Sequence, residues 1–214
     1  MKRQTRKASG EGQQVLDFGG AIGGHAGLVC GVDEAGRGPW AGPVAVAAVV
    51  LDPDQPIPGL NDSKQLTAAV RERLYAEICD RAHVALVYAS PARIDRMNIR
   101  AATLWAMRQA VLGLPVVPDY ALIDGRDVPP GLPCRAEAIV GGDAKSQAIA
   151  AASIIAKVSR DRLMRYTGTL YPDFGLERHM GYGVPEHAAA LDRFGPTPLH
   201  RMTFKPVVAA IRSP

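Results

Sequence analysis

Cysteine is scarce in this chain: Cys30, Cys79 and Cys134 are the only three among 214 residues, and no two form a C-x-x-C pair. An odd, scattered set excludes a disulfide framework and offers no zinc-site spacing, so a reducing, cytoplasmic setting is expected. Long apolar runs are also missing. The longest, Val44 to Leu51, falls far short of the roughly 20 residues that span a bilayer, so no membrane segment is expected. The basic start "MKRQTRKASGEGQQ" leads into no apolar stretch and does not read as a secretion signal. An excess of one charge is lacking too, once position is considered. The net charge is +4, but Lys2, Arg3, Arg6 and Lys7 precede the first acid; without those four, 21 of the 25 basic residues face 21 acidic ones. A polyanion site in the body must therefore come from local segregation of charge.

What is present suits one soluble domain: 47% hydrophobic and 21% charged residues over a length that can bury a sizeable core. Residues 1–26, polar and glycine-rich, read as a flexible arm, and residues 27–214 as the folded domain. Short Val/Ala-rich runs bounded by Gly and Pro predict strands at Leu28 to Asp33 and Val44 to Leu51, paired like a hairpin. Further strands are expected at Val84 to Tyr88, Tyr120 to Asp124 and Cys134 to Val140. Thr67, Ser90-Pro91 and Asn98 are helix-start signals, the second because proline lacks the N–H that the first turn leaves unbonded. The segment from Ala144 to Tyr166 predicts a long helix, its alanines small enough for close packing on a sheet. Shorter helices are expected at Pro185 to Phe194 and from Pro206. The order implies an α/β fold, a mixed sheet flanked by helices with a helical C-terminal segment.

Carboxylates recur in one context, at the end of an apolar run and beside glycine: Asp33-Glu34 after "LVCGV", Asp124 after "YALI", Asp143 after "IVGG". Strand ends gather at one edge of a sheet, so acids distant in sequence can meet there. Adjacent acids on a strand are hard to explain as structure, because neighbouring side chains face opposite ways and one should face the core. Clustered carboxylates repel unless cations lie among them. An all-oxygen set suits Mg²⁺ or Mn²⁺, and two such ions about 4 Å apart stabilise both the attacking and the departing oxygen of an in-line phosphoryl displacement. Asp62, Asp95, Asp127 and Asp161 fit loops or polar helix faces and need no such role.

The motifs "GVDEAGRGPWAGPV", "NDSKQL", "LIDG", "SIIAKVSRD", "YPDFGLERHMGYGVPEH" and "GPTPLHRMTFKPV" follow one another from Leu28 to Val207, and in this order the chain resembles bacterial ribonuclease HII. The resemblance implies a ribonuclease H-like fold and an endonuclease. It would cut the RNA strand of RNA/DNA hybrids, and single ribonucleotides embedded in duplex DNA, leaving 5′-phosphate and 3′-hydroxyl ends. It also implies Asp33, Glu34, Asp124 and Asp143 as metal-binding acids for two ions. Gly36, Arg37 and Gly38 would be the element whose backbone reads the ribose 2′-hydroxyl, and Tyr182 the ring that lies against the adjoining deoxyribose. Lys64 and Lys145 are candidate phosphate contacts, ranked above Lys157, and Ser63 and Ser146 are candidates to join them. His200 and Arg201 match a family block without an assigned role. Met180, Val184 and Met202 depart from the residues common in the family, which bears on backbone affinity and not on the acids. No aromatic pair of a sliding-clamp-binding peptide is evident in "AAIRSP", and a monomer is expected. A larger N-terminal domain of the ribonuclease HIII type is not expected from a short arm.

Two other classes compete. A non-enzymatic hybrid-binding module would need no divalent ion and gains nothing from four acids where a polyanion must lie. A different metal nuclease on the same fold would share the acids and differ in substrate.

Overall fold

The computed structural model describes residues 27–212; the predicted arm at residues 1–26 lies outside them. Strand β1 (Val29–Ala35) and strand β2 (Val44–Leu51) pair antiparallel, as the hairpin reading expects, across a connection of residues 36–43. Helix α1 (Ala68–Arg81) follows, capped by Thr67, whose hydroxyl accepts the Val70 N–H. Strand β3 (Ala82–Ala89) adds antiparallel to β2. Ser90 caps helix α2 (Pro91–Met97), and Asn98 caps helix α3 (Ile99–Leu112) through a bond from the Ala101 N–H. Strands β4 (Tyr120–Asp124) and β5 (Arg135–Ile139) complete a five-stranded sheet of order β3-β2-β1-β4-β5, with β1, β4 and β5 mutually parallel.

Helix α4 (Gln147–Leu170) starts three residues later than the composition suggests, because Gly142–Ala144 forms a separate 3-10 turn and Ser146 is the cap. Helices α5 (Leu176–His179), α6 (Pro185–Phe194) and α7 (Lys205–Arg212) make the C-terminal segment.

The sheet is covered on both faces, which is why β2 is apolar throughout instead of alternating. Val44, Val46, Ala48 and Val50 pack with Cys30 and Val32 against Ala106, Met107 and Ala110 of α3. Ala47 and Val49 pack on the other face against Leu74 and Ile78 of α1 and Ile154, Ile155 and Val158 of α4. Helix α4 crosses β1 so closely that a Cβ on Gly31 would lie 2.2 Å from the Ile149 nitrogen. Only glycine fits there. A third cluster, including Ala41, Met164, Phe174, Leu176, Leu191 and Val207, fastens the C-terminal helices to the second half of α4 and to the β1–β2 connection. Among the described residues no helix is long and apolar enough to cross a membrane. The three cysteines are free.

Candidate active site

Strand β1 does not stop at Asp33. Asp33 and Glu34 continue the ladder opposite Ala47 and Val46, and the strand ends at Ala35, so both carboxylates sit within paired backbone. The parallel register of β1 and β4 ends with Val32 opposite Ile123, so Asp33 and Asp124 are the next residues of the two strands, and the Asp124 charge acts on Asp33. Beyond β5 the chain turns through Gly141, at a left-handed φ of 63°, and the Gly142 N–H donates to Asp124 Oδ1 at 2.7 Å. Asp143 follows immediately. The carboxyl ends of three parallel strands thus bring the four acids to one edge.

Their electrostatics reflect that convergence. Burial, then the charges of Glu34, Asp124 and Asp143, pushes the Asp33 carboxyl well above the usual carboxylate range. Burial raises Glu34 as well, opposed by Arg37, whose Nη1 lies 3.4 Å from Glu34 Oε1. Asp143 is raised by burial and by the neighbouring Asp62 and Asp124. Lys64, exposed at the mouth of this edge, opposes the shifts at Glu34 and Asp143. Among the described residues no three His, Cys, Asp or Glu side chains stand as a ready-made metal cage. The acids share one field without closing on one point.

The other residues singled out from the sequence divide. Arg37 and Gly38 are exposed, and a Cβ on Gly38 would lie 3.6 Å from Cε1 of Tyr182, so the half-exposed Tyr182 ring rests beside the glycine turn. Lys145 is exposed and its ammonium donates to the Val140 carbonyl at 2.7 Å. Ser63 and Ser146 are buried: the Ser63 N–H donates to Ser153 Oγ, and Ser146 Oγ accepts the Ile149 N–H as the cap of α4. Lys157 pairs with Asp161 at 2.7 Å, one helical turn away. Asp95 accepts the Met202 and Thr203 N–H groups, and Asp127 holds Arg100 with both oxygens. Of the secondary acids, Asp62 adjoins Asp143, and Asp127 lies in the field of Arg37.

Behind the turn lies a layer that the sequence reading left unassigned. Trp40 and Ala41 donate their N–H groups to the Gly181 carbonyl, and Gly42 donates to Leu199. Trp40 also packs flat enough on Gly183 that a Cβ there would collide with the indole. His187 and His200 are buried and meet through their Nε2 atoms at 2.9 Å. His200 Nδ1 accepts the Thr197 N–H, so its Nε2 carries the proton and donates to His187 Nε2; His187 Nδ1–H then donates to the Tyr182 carbonyl. Both rings are neutral in that scheme. Burial holds His187 below its ordinary value and His200 down at about 4. Spacing alone carried no signal for this layer, since its members come from residues 40 to 201 and meet only in the fold.

The sheet order and the helix across it place the chain among ribonuclease H-like folds. A ribonuclease HII family profile matches residues 30–207. Ribonuclease HII of Xanthobacter autotrophicus is 60% identical over 84% of this chain and 72% of its own length. The protein of the same name from Azorhizobium caulinodans is 58% identical over 85% and 70%. Among solved structures, ribonuclease H2 from Pyrococcus horikoshii superposes with a TM-score of 0.74 at 30% identity, covering 86% of this chain and 96% of that one. Ribonuclease HII of Archaeoglobus fulgidus, solved as a complex with PCNA, gives 0.70 at 30% identity over 83% and 95%. The chain belongs to the ribonuclease HII family and is a metal-dependent ribonuclease H.

Proposed function

We propose that this chain hydrolyses the RNA strand of RNA/DNA hybrids and also cuts on the 5′ side of single ribonucleotides in duplex DNA, through a two-cation site formed by Asp33, Glu34, Asp124 and Asp143. The observation that carries the reading is adjacency: the acidic edge ends two residues before a glycine turn that has the Tyr182 ring against it. The donor set fits hard cations. It offers only carboxylate oxygens, and the raised Asp33, Glu34 and Asp143 carboxyls lie in a field that positive charge would relieve. Divalent ions such as Mg²⁺ or Mn²⁺, when bound there, supply an activated water and stabilise the departing 3′-oxygen.

The chain's own part is positioning. Gly36 and Gly38 keep side chains away from the sugar, so that main-chain groups can meet the 2′-hydroxyl, the one group that distinguishes ribose from deoxyribose. Tyr182 offers a flat surface to the next sugar, which settles the scissile phosphate over the acids. Lys64, Arg37 and Lys145 are exposed cations around this edge and suit the flanking phosphates. Ser63 and Ser146 act from beneath, fixing the loops that carry Lys64 and Lys145.

An assay on a duplex with one embedded ribonucleotide tests the reading. Cleavage with Mg²⁺ or Mn²⁺, abolished by chelator, with a 5′-phosphate on the ribonucleotide, is the expected result. Equal cleavage of an all-DNA duplex, or turnover that survives chelation, would overturn it.

A further inference from the structure

Among the described residues two arginines lie deeper than any other charged side chains: Arg160 is 1% exposed and Arg201 is fully buried. Neither forms an ion pair among the described residues. Each instead takes three backbone carbonyls. Arg160 donates to Ala41, Pro43 and Met180, at 3.2, 2.9 and 3.0 Å. Arg201 donates to Gly42 through Nε at 3.0 Å, to Arg37 through Nη1 at 2.7 Å and to Gly36 through Nη2 at 2.5 Å. A buried cation without a counter-ion is costly, and the two raise that cost for each other: burial and Arg160 hold Arg201 down at about 9. It still carries its charge at neutral pH.

The consequence is geometric. A trans peptide sets its C=O and N–H on opposite sides, and no peptide bond among the described residues is cis. With the Gly36 and Arg37 carbonyls both drawn inward to one guanidinium, the N–H groups of Arg37 and Gly38 must face outward. Both residues are exposed, and neither N–H has a hydrogen-bond partner among the described residues. Two successive N–H groups aimed the same way form a small concave donor site for an electronegative atom. Arg160 secures the same turn from behind: Gly36, at a φ of 92°, lies so close that a Cβ there would stand 1.9 Å from Arg160 Nε. Through the Met180 carbonyl it also ties in the loop carrying Tyr182.

We infer that Arg201 is a positioning residue for ribose recognition: by gripping the Gly36 and Arg37 carbonyls, it aims the Arg37 and Gly38 N–H donors at the 2′-hydroxyl. The inference rests on the proposed function, since it concerns the turn assigned there to the sugar. A lysine is a poor substitute, because a single ammonium lacks the planar fork that spans the two adjacent carbonyls and a third through Nε.

The test uses the full chain with Asp33→Asn added to block turnover. Binding of a duplex with one ribonucleotide, and of its all-DNA counterpart, is measured by fluorescence anisotropy, with and without Arg201→Lys. The parent should prefer the ribonucleotide duplex at least tenfold. Adding Arg201→Lys should reduce that preference to within threefold while leaving the all-DNA affinity unchanged. A folded Arg201→Lys protein that keeps the full preference would overturn the inference, as would loss of folding, by circular dichroism, in both Arg201→Lys and Arg201→Gln, which assigns the arginine to stability alone. A parent without ribose preference would instead overturn the functional reading on which the inference stands.

Discussion

The acidic edge and the basic layer behind the glycine turn both bury charge, and they handle it in opposite ways. At the edge, Asp33 is buried beside three other carboxylates, and of its surroundings only the adjacent Glu34 N–H, at 2.6 Å, eases its charge. In the layer, Arg160 and Arg201 are buried more deeply still, but each guanidinium is answered by three carbonyls. The clustered acids call for a counter-charge, whereas guanidiniums bonded to backbone carbonyls hold the shape of the turn. The acidic edge and the glycine turn are separated by Ala35 alone, yet their energetics are unlike.

The contrast should break most visibly at Asp33. Asp33→Asn is expected to lower the cleavage rate on a hybrid by about a thousandfold or more, roughly 4 kcal/mol of barrier, because the proposed cation site would lose a charged ligand. Steady-state turnover on an RNA/DNA hybrid measures it.

The basic layer should fail instead on the acid side of neutrality. His187 and His200 are held below their ordinary value in the fold, so protonation favours the unfolded chain. The His200 contribution is complete above the unfolded value of about 6.5 and is lost as pH falls toward about 4, and that of His187 is lost in the same direction. A loss on the order of 1–2 kcal/mol is expected between pH 7 and pH 5, read from urea unfolding. His200→Asn should flatten that pH dependence.

Tyr182→Ala should sharpen the comparison, since it removes the ring proposed to meet the sugar and leaves every acid in place. A roughly tenfold loss of preference for the RNA-to-DNA junction is expected, about 1.4 kcal/mol, in competition between junction and uniform-hybrid substrates.

The smallest effect concerns stability without metal. The Asp33 carboxyl is raised in the fold, so its ionised form weakens folding as pH rises, the reverse of the histidines. Asp33→Asn should therefore stabilise the metal-free protein by about 1 kcal/mol at pH 7, seen as a higher melting midpoint in chelator. The same variant should lose most of the midpoint rise that Mg²⁺ gives the parent.

Local signals in the sequence carried much of the fold. Thr67, Ser90, Asn98 and Pro185 mark helix starts where the helices begin, and the unbroken apolar run Val44 to Leu51 is a strand covered on both faces. The end of β1 was not legible, because a carboxylate pair ordinarily stops a strand and here pairs with Val46 and Ala47. Whether β4 and β5 run parallel to β1 depends on contacts that no local pattern encodes. The acids were legible as residues, from their place beside glycine after apolar runs. Arg160 and Arg201 were not, since an arginine in a helix or loop reads as a solvated charge, and only the fold delivers six carbonyls to the two of them.

Crystals grown with Mn²⁺ and a ribonucleotide-containing duplex, measured at the manganese absorption edge, bear most directly on the central claim. Two anomalous peaks are expected, each within about 2.2 Å of carboxylate oxygens drawn from Asp33, Glu34, Asp124 and Asp143, with the 2′-hydroxyl at the Gly36–Gly38 turn. Manganese bound away from these four acids, or a ribose placed away from that turn, would contradict it.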